Sequence, residues 1–551
     1  MAAFGFSAFA ATSAQAEPLS IEAIERFPAL EQVSLSPDGK HIVGLVAAPG
    51  QKWPVISVWK TDALDERPIW IPTEEMRFHY VDFLGNEKLI FVAQDTYTYG
   101  NYKRWQRKLY ISDLDGGDIE EPLRQQGTGR SSGSRDLSFG VFYDNFADDD
   151  RFYIESTTFQ NQKIFELNTR TGRKRNVAES GEDTFFVSGG VNPQTGDLLI
   201  KQELEPGGEG GYILRTFIRE DAGSSWEYHP ELSYDIVDRI TLDIQGFDRS
   251  PQDLVVVTNK GSEFAEARVY NIDTKTWDQE PLFAVPGYDI SSVTFSYPDD
   301  AFPEVTGMLI SAPGLEQFSV HPYWGPVLDD LKSKFPGEQV RLSDARSDDG
   351  KGMAIVTIDS MKRPNEYYLF DDGKLIKLGE MMPWVDKSTL PQSQWVTYEA
   401  RDGLTVPAIL TLPPGYDKAE DGRIPAVVHP HGGPWARDYM GWDYSGWVPF
   451  LATRGVAVLQ PQYRGSTGLG MTLWKAGDFE WGQKMQDDKD DGAAWMVEQG
   501  IADPEKLAIF GYSYGGFAAI AASVRPNSPY QCAISGAGVS NLDKLSNLWG
   551  D

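Results

Sequence analysis

An apolar strand that runs into a polar turn recurs through the first two thirds of the chain. It reads SVWKTD at Ser57–Asp62, LYISD at Leu109–Asp113 and IFELN at Ile164–Asn168. It returns, less cleanly, as FIRED at Phe217–Asp221, then as VYNID at Val269–Asp273 and YYLFD at Tyr367–Asp371. The turn residues are spaced by 51, 55, 53, 52 and 98 positions, and 98 is close to twice 49. Short β-type runs such as Lys88–Val92, Arg151–Ile154 and Asp253–Val257 lie around these marks, with little helical periodicity. A period of about fifty with four short strands per unit is that of a β-propeller blade. Counting the unmarked unit in the last interval, the stretch from about Leu30 to Gly379 predicts seven blades.

Near Trp395 the period changes. Trp395–Tyr398, Val406–Leu412, Ala426–His429, Val456–Leu459, Leu507–Phe510 and Cys532–Ile534 are short strand-like cores. Most are apolar on both faces, and helical stretches at Trp447–Arg454, Gln486–Gln499 and Tyr514–Val524 separate them. That is the signature of a mostly parallel sheet covered by helices. The division expected is a propeller over 17–390 and an α/β domain over 391–551. Residues 1–16 carry an apolar stretch ending in Ala14-Gln15-Ala16, a small-x-small pattern that resembles an export signal, although no Lys or Arg precedes Arg26. The expected location is the periplasm or the exterior, with the cytoplasm as the alternative.

The strongest chemical signal is LAIFGYSYGG, Leu507–Gly516. It sets Gly511-x-Ser513-x-Gly515 between a β-run and an Ala-rich helix, the context of a nucleophile elbow. Small residues at 511 and 515 let the backbone pass close to its neighbours, and the helix N-terminus offers unpaired N–H groups to a developing oxyanion. A second signal, VHPHGGP at Val428–Pro434, follows a strand and supplies a glycine loop able to approach a carbonyl oxygen. Ser513 is the expected nucleophile; the amides of Tyr514 and Gly433 are the expected oxyanion donors. His431 is not expected to be the base, because in this arrangement the base follows the nucleophile in sequence.

Composition removes several alternatives. Lys plus Arg is 50 and Asp plus Glu is 81, a formal charge of −31 that repels phosphate backbones, so nucleic acid is not an expected partner. The single cysteine, Cys532, excludes an intramolecular disulfide and a CxxC site; its apolar surroundings predict a buried strand position. The acidic run Asp487–Asp491 lacks the spacing of a calcium loop and is expected to be a solvated helix start. No metal or cofactor is implied. Outside the N-terminal stretch no run of 18 apolar residues exists, so no membrane span is expected.

Together His431–Pro434, Tyr463–Gly468 (YRGSTG), Trp481-Gly482 with Met485–Asp488, and Gly511–Gly516 resemble prolyl oligopeptidase-family serine peptidases, of the acylaminoacyl and dipeptidyl peptidase-like branch. The resemblance covers about 395–551 and implies an α/β-hydrolase domain behind a propeller that admits only short or flexible peptides. Tyr463 and Arg464 either line the pocket or end a strand.

The hydroxyl of Ser513 needs an imidazole and a carboxylate that orients it. All six histidines (41, 79, 229, 321, 429 and 431) precede Ser513, and only Asp543 and Asp551 are acids after it. Both sit too early to match the family's acid. The expectation is therefore an α/β-hydrolase domain incomplete in this chain, truncated from a longer enzyme and weakly active or inactive as it stands. The function expected of the complete protein is hydrolysis of short peptides by acyl transfer. The alternatives are an esterase or isopeptidase with the same nucleophile, or a non-catalytic propeller binding protein.

Overall fold

The computed structural model describes residues 17–99, 102–123, 138–144, 150–158, 161–208, 211–298, 301–348, 350–542 and 544. The candidate export signal and the acids Asp543 and Asp551 lie outside the described residues. Seven antiparallel sheets follow one another in chain order among them. They span residues 30–71, 77–113, 138–179, 184–235, 242–277, 290–319 and 339–380, and are the seven blades of a β-propeller.

The recurring mark is the third strand of a blade and the turn after it. It falls on Val55–Lys60, Tyr102–Asp113, Gln162–Asn168, Tyr212–Ile218, Glu266–Asn271 and Arg363–Asp371. The unmarked unit is blade 6, whose third strand is Leu315–Ser319. After it the chain forms the helix Trp324–Lys334, which packs Trp324, Leu328 and Leu331 against Val340, Val356 and Phe370 of blade 7. This helix follows the strand in place of the usual turn, so the mark is missing and the interval of 98 spans two blades.

Neighbouring blades bury apolar faces against each other, and this packing is what holds the ring. Val43, Leu45 and Ile56 of blade 1 meet Phe78, Leu89 and Phe91 of blade 2. The ring closes where Leu35 and Ile42 of blade 1 meet Ile355 and Leu369 of blade 7. The first and last blades are each built from one contiguous stretch of chain, so side-chain packing closes the ring without a shared strand.

The C-terminal sheet has six strands among the described residues: β1 (Gln392–Glu399), β2 (Thr405–Leu412), β3 (Ile424–Val428), β4 (Ala457–Pro461), β5 (Ala502–Tyr512) and β6 (Cys532–Gly536). Their spatial order is β1-β2-β4-β3-β5-β6. The first two junctions are antiparallel and the last three parallel, as βα crossovers require. Helices α1 (Trp447–Ala452), α2 (Met471–Lys475), α3 (Lys484–Glu498) and α4 (Tyr514–Val524) connect and cover the sheet. Strand alternation divides the faces: Ala408 and Leu410 pack with Ala493 and Met496 of α3, whereas Ile409 packs with Val448 of α1. No helix among the described residues is long and apolar enough to cross a membrane.

Two expectations fail here. Cys532 is exposed: among the described residues β6 is an edge strand of the sheet, and its residues 532–535 are open to solvent. An apolar run of this length does not distinguish an interior strand from an edge. The acidic run is not a solvated helix start either. It lies inside α3, Asp488 and Lys489 are fully buried, and none of Asp487–Asp491 is exposed. Arginines from elsewhere in the fold take these acids: Arg401 on Asp487 and Asp491, Arg525 on Asp487 and Asp490, and Arg464 on Asp488.

The segment ahead of blade 1 belongs spatially with the C-terminal domain. Leu19 packs with Met381, Met382 and Trp442, its amide donates to Thr453 Oγ1, and its carbonyl accepts from Arg454.

Candidate active site

The chain turns sharply between β5 and α4, and Ser513 is the turn. Its backbone stands at φ 57°, ψ −119°, a conformation that costs a non-glycine residue about 1–3 kcal/mol. The amide of Ser513 donates to Gly536 O at 2.9 Å, and its carbonyl accepts from Phe517 at 3.0 Å. The neighbouring glycines are required by close approach. A Cβ on Gly511 would lie 2.5 Å from Gly515 C, and one on Gly515 would lie 2.2 Å from Pro430 O. Ser513 itself is exposed, and among the described residues its hydroxyl makes no cap bond to α4. The amides at the head of α4 therefore carry no side-chain cap, and the positive end of the helix dipole lies beside the hydroxyl.

The His431-Gly432-Gly433-Pro434 loop leaves β3 next to this turn. A Cβ on Gly432 would stand 3.4 Å from Ser513 Cβ and 3.9 Å from Ser513 Oγ. Ser513 and Gly432 are thus brought together from segments about eighty residues apart; the nearest neighbours of a Cβ on Gly433 are Trp435 and Ala436.

Both nearby histidines are occupied. His431 places Nδ1 2.7 Å from Gly432 O and Nε2 2.8 Å from Ser466 Oγ, and burial pushes its pKa down to about 3. His429 holds Nδ1 2.6 Å from Phe510 O, and burial lowers its pKa as well. Both ring nitrogens of His431 are engaged, and the structure assigns it to the support of the loop; the Nδ1 of His429 is spent on the Phe510 carbonyl.

Tyr463 and Arg464 are both buried. Tyr463 stacks on His431 with centroids 4.4 Å apart and donates to His431 O at 2.8 Å. Arg464 is locked by Asp488 through Nε and Nη2, and by Asp402 through Nη1 and Nη2. The alternative left open between pocket and strand end resolves as scaffold: both residues brace the loops that carry the site.

Sequence reasoning missed the propeller's contribution. Arg239, at the end of a turn in the propeller, donates from Nε and Nη2 to Asp478 Oδ1 at 2.9 and 2.6 Å. Its guanidinium stands 5.1 Å from the ring of Trp435, which follows the glycine loop and is 44% exposed. Glu263 accepts from the amide and hydroxyl of Thr472, and Arg437 donates to the carbonyls of Ser311 and Ala312. Trp481 bridges Trp435 and Tyr514, at 6.3 and 4.9 Å between centroids. The propeller therefore abuts the aromatic surroundings of the elbow. Nothing local in the sequence marks Arg239 or Asp478 for this pairing.

A propeller set against an α/β sheet, with an exposed serine on the strand–helix turn, defines a propeller-capped serine hydrolase. Residues 442–547 match the model of the prolyl oligopeptidase family, and the chain is a serine peptidase. It is 27% identical over 541 residues to dipeptidyl aminopeptidase BIII of Pseudoxanthomonas mexicana, covering 96% of this chain and 73% of that protein. It is 25% identical to dipeptidyl peptidase family member 6 of Caenorhabditis elegans, covering 95% and 71%. Among solved structures, a puromycin-hydrolyzing peptidase of Mycobacterium tuberculosis superposes with a TM-score of 0.66 at 16% identity, over 95% of this chain and 80% of that one. Prolyl oligopeptidase B from Galerina marginata superposes with 0.64 at 13%, over 95% and 74%. At these identities the structural matches speak for the fold.

Proposed function

We propose that Ser513 is the nucleophile of a peptidase that cleaves short peptides by acyl transfer. Its oxygen attacks the scissile carbonyl, the amides of Tyr514 and Gly433 hold the resulting oxyanion, and water then releases the acyl group. One observation carries this reading: an exposed serine on a strained turn at the head of a helix, with the Gly432 backbone against its side chain. The strain is tolerated because the glycines at 511 and 515 and the Gly536 carbonyl leave the turn no other path. The imidazole and the carboxylate that orients it are the parts of the machinery that the described residues do not present to Ser513.

Two curated relatives that match almost the whole chain are a dipeptidyl aminopeptidase and a dipeptidyl peptidase family member by name, so release of dipeptides from a free amino terminus is the substrate mode to test first. The propeller contacts beside Trp435 favour a peptide of limited length over a folded protein.

The test is fluorophosphonate labelling of the full-length protein, followed by dipeptidyl- and aminoacyl-naphthylamide hydrolysis. Covalent labelling that disappears in Ser513→Ala supports the reading; labelling that persists in that variant overturns it. Hydrolysis confined to dipeptidyl substrates selects the dipeptidyl mode.

A further inference from the structure

Against the rings of Tyr463 and Tyr514 lies a buried cation that the reaction scheme does not use. Lys489 is 0% exposed, one turn into α3 from Met485. Its ammonium donates to Met485 O at 2.6 Å and forms no ion pair among the described residues. Instead it lies 3.5 Å from the ring centroid of Tyr463 and 5.3 Å from that of Tyr514. Those rings belong to the two halves of the site. Tyr463 stacks on His431 and donates to its carbonyl, which fixes the glycine loop. Tyr514 directly follows Ser513 and stacks on Tyr463 with centroids 5.6 Å apart.

Stability does not explain a lysine here. A buried ammonium with one carbonyl partner is costly, and an apolar side chain of similar length fills the same volume without that cost. Asp488 is already matched by Arg464, so it needs no second cation. The tyrosine faces recover part of the penalty through cation–π attraction.

We propose that Lys489 is a positioning residue of the oxyanion hole: its ammonium clamps the rings of Tyr463 and Tyr514, holding the two donor segments in register and placing positive charge behind the developing oxyanion. The inference rests on Ser513 as nucleophile. The charged and titratable groups around the ammonium are Asp488 and Asp490 on its own helix, Arg464 after β4, Arg525 at the end of α4, and His431 in the glycine loop. Tyr530 donates to the Lys489 carbonyl, and Tyr398 to that of Asp488. Burial is the dominant influence and pulls the Lys489 pKa down to about 7. The charge is present below that pH and is lost above it.

The experiment compares full-length wild type with Lys489→Met and Lys489→Arg, reading the rate of fluorophosphonate labelling and the melting temperature. Rates are taken about one unit below and about one unit above neutral pH, and the ratio of wild type to variant cancels the titration of the base. For Lys489→Met the ratio is expected to be about tenfold below neutrality, less than the loss of a direct donor, and to fall toward one above it. Its melting temperature is expected to equal or exceed that of wild type. Lys489→Arg, which keeps the charge, is expected to label as wild type does below neutrality. A ratio of one at both pH values overturns the inference. So does a Lys489→Met protein that melts lower or fails to fold, because the residue is then structural. Wild type that stays unlabelled overturns the nucleophile reading, and this inference with it.

Discussion

The position a Cβ would take on Gly515 lies 2.2 Å from the carbonyl oxygen of Pro430, so the elbow and the chain just past strand β3 are in backbone contact. Gly515→Ala forces α4 away from that strand and with it separates Ser513 from Gly432. The expected outcome is destabilisation by about 1–3 kcal/mol, read by denaturant unfolding, and loss of fluorophosphonate labelling. A Gly515→Ala protein that labels at the wild-type rate contradicts the contact.

Arg464 and Asp488 are both buried, and Arg464 is the ion-pair partner of Asp488 among the described residues, whereas Arg464 itself also pairs with Asp402. Arg464→Met strands the Asp488 carboxylate inside the sheet–helix interface, and the expected loss is about 3–5 kcal/mol in chemical unfolding. Replacing Arg401, which reaches the same acidic run from an exposed position, is expected to cost about 1 kcal/mol or less. Similar losses for the two would mean that burial does not set the strength of these pairs.

The depressed pKa of His431 makes a prediction about acid stability. Its folded value, about 3, lies below the ordinary imidazole value, so the unfolded chain binds the extra proton first. The contribution is fully present above about pH 6.5 and drains away by about 1.4 kcal/mol per pH unit as the pH falls toward the folded value. His431→Gln is expected to flatten this acid limb by one proton's worth of slope, measured as unfolding free energy against pH. An unchanged slope would show that His431 is protonated in the fold.

Cys532 lies on an open strand, so the folded protein is expected to react with a thiol reagent such as dithiobis-nitrobenzoate at one site per chain without denaturant. Reaction only after unfolding would return Cys532 to the buried position that its apolar neighbours suggest.

Much of this architecture was legible before any coordinates. The blade count followed from turn spacing, because each blade repeats one supersecondary unit and its third strand ends in the same kind of turn. The one unmarked blade is the one that carries a helical insertion. The elbow was legible for a local reason as well: a strand, a small-residue turn and an Ala-rich helix lie in contiguous sequence, and Ser513 occupies the turn as read. The acidic run was misread because α3 has one face against the sheet and one toward Arg401 and Arg525, and the residues that neutralise it lie at positions 401, 464 and 525.

The sequence by itself determined the propeller period, the change to an α/β pattern and the serine at the strand–helix turn, since each depends on residues within a few positions of one another. Tertiary structure alone decided that Gly432 meets Ser513, that Arg239 of the propeller holds Asp478, that His431 is spent on its own loop, and that Lys489 lies between two tyrosines. Apart from the His431–Gly432 contact, those pairings join segments tens to hundreds of residues apart, and the packing of sheet, helices and blades, which no local pattern encodes, selects them.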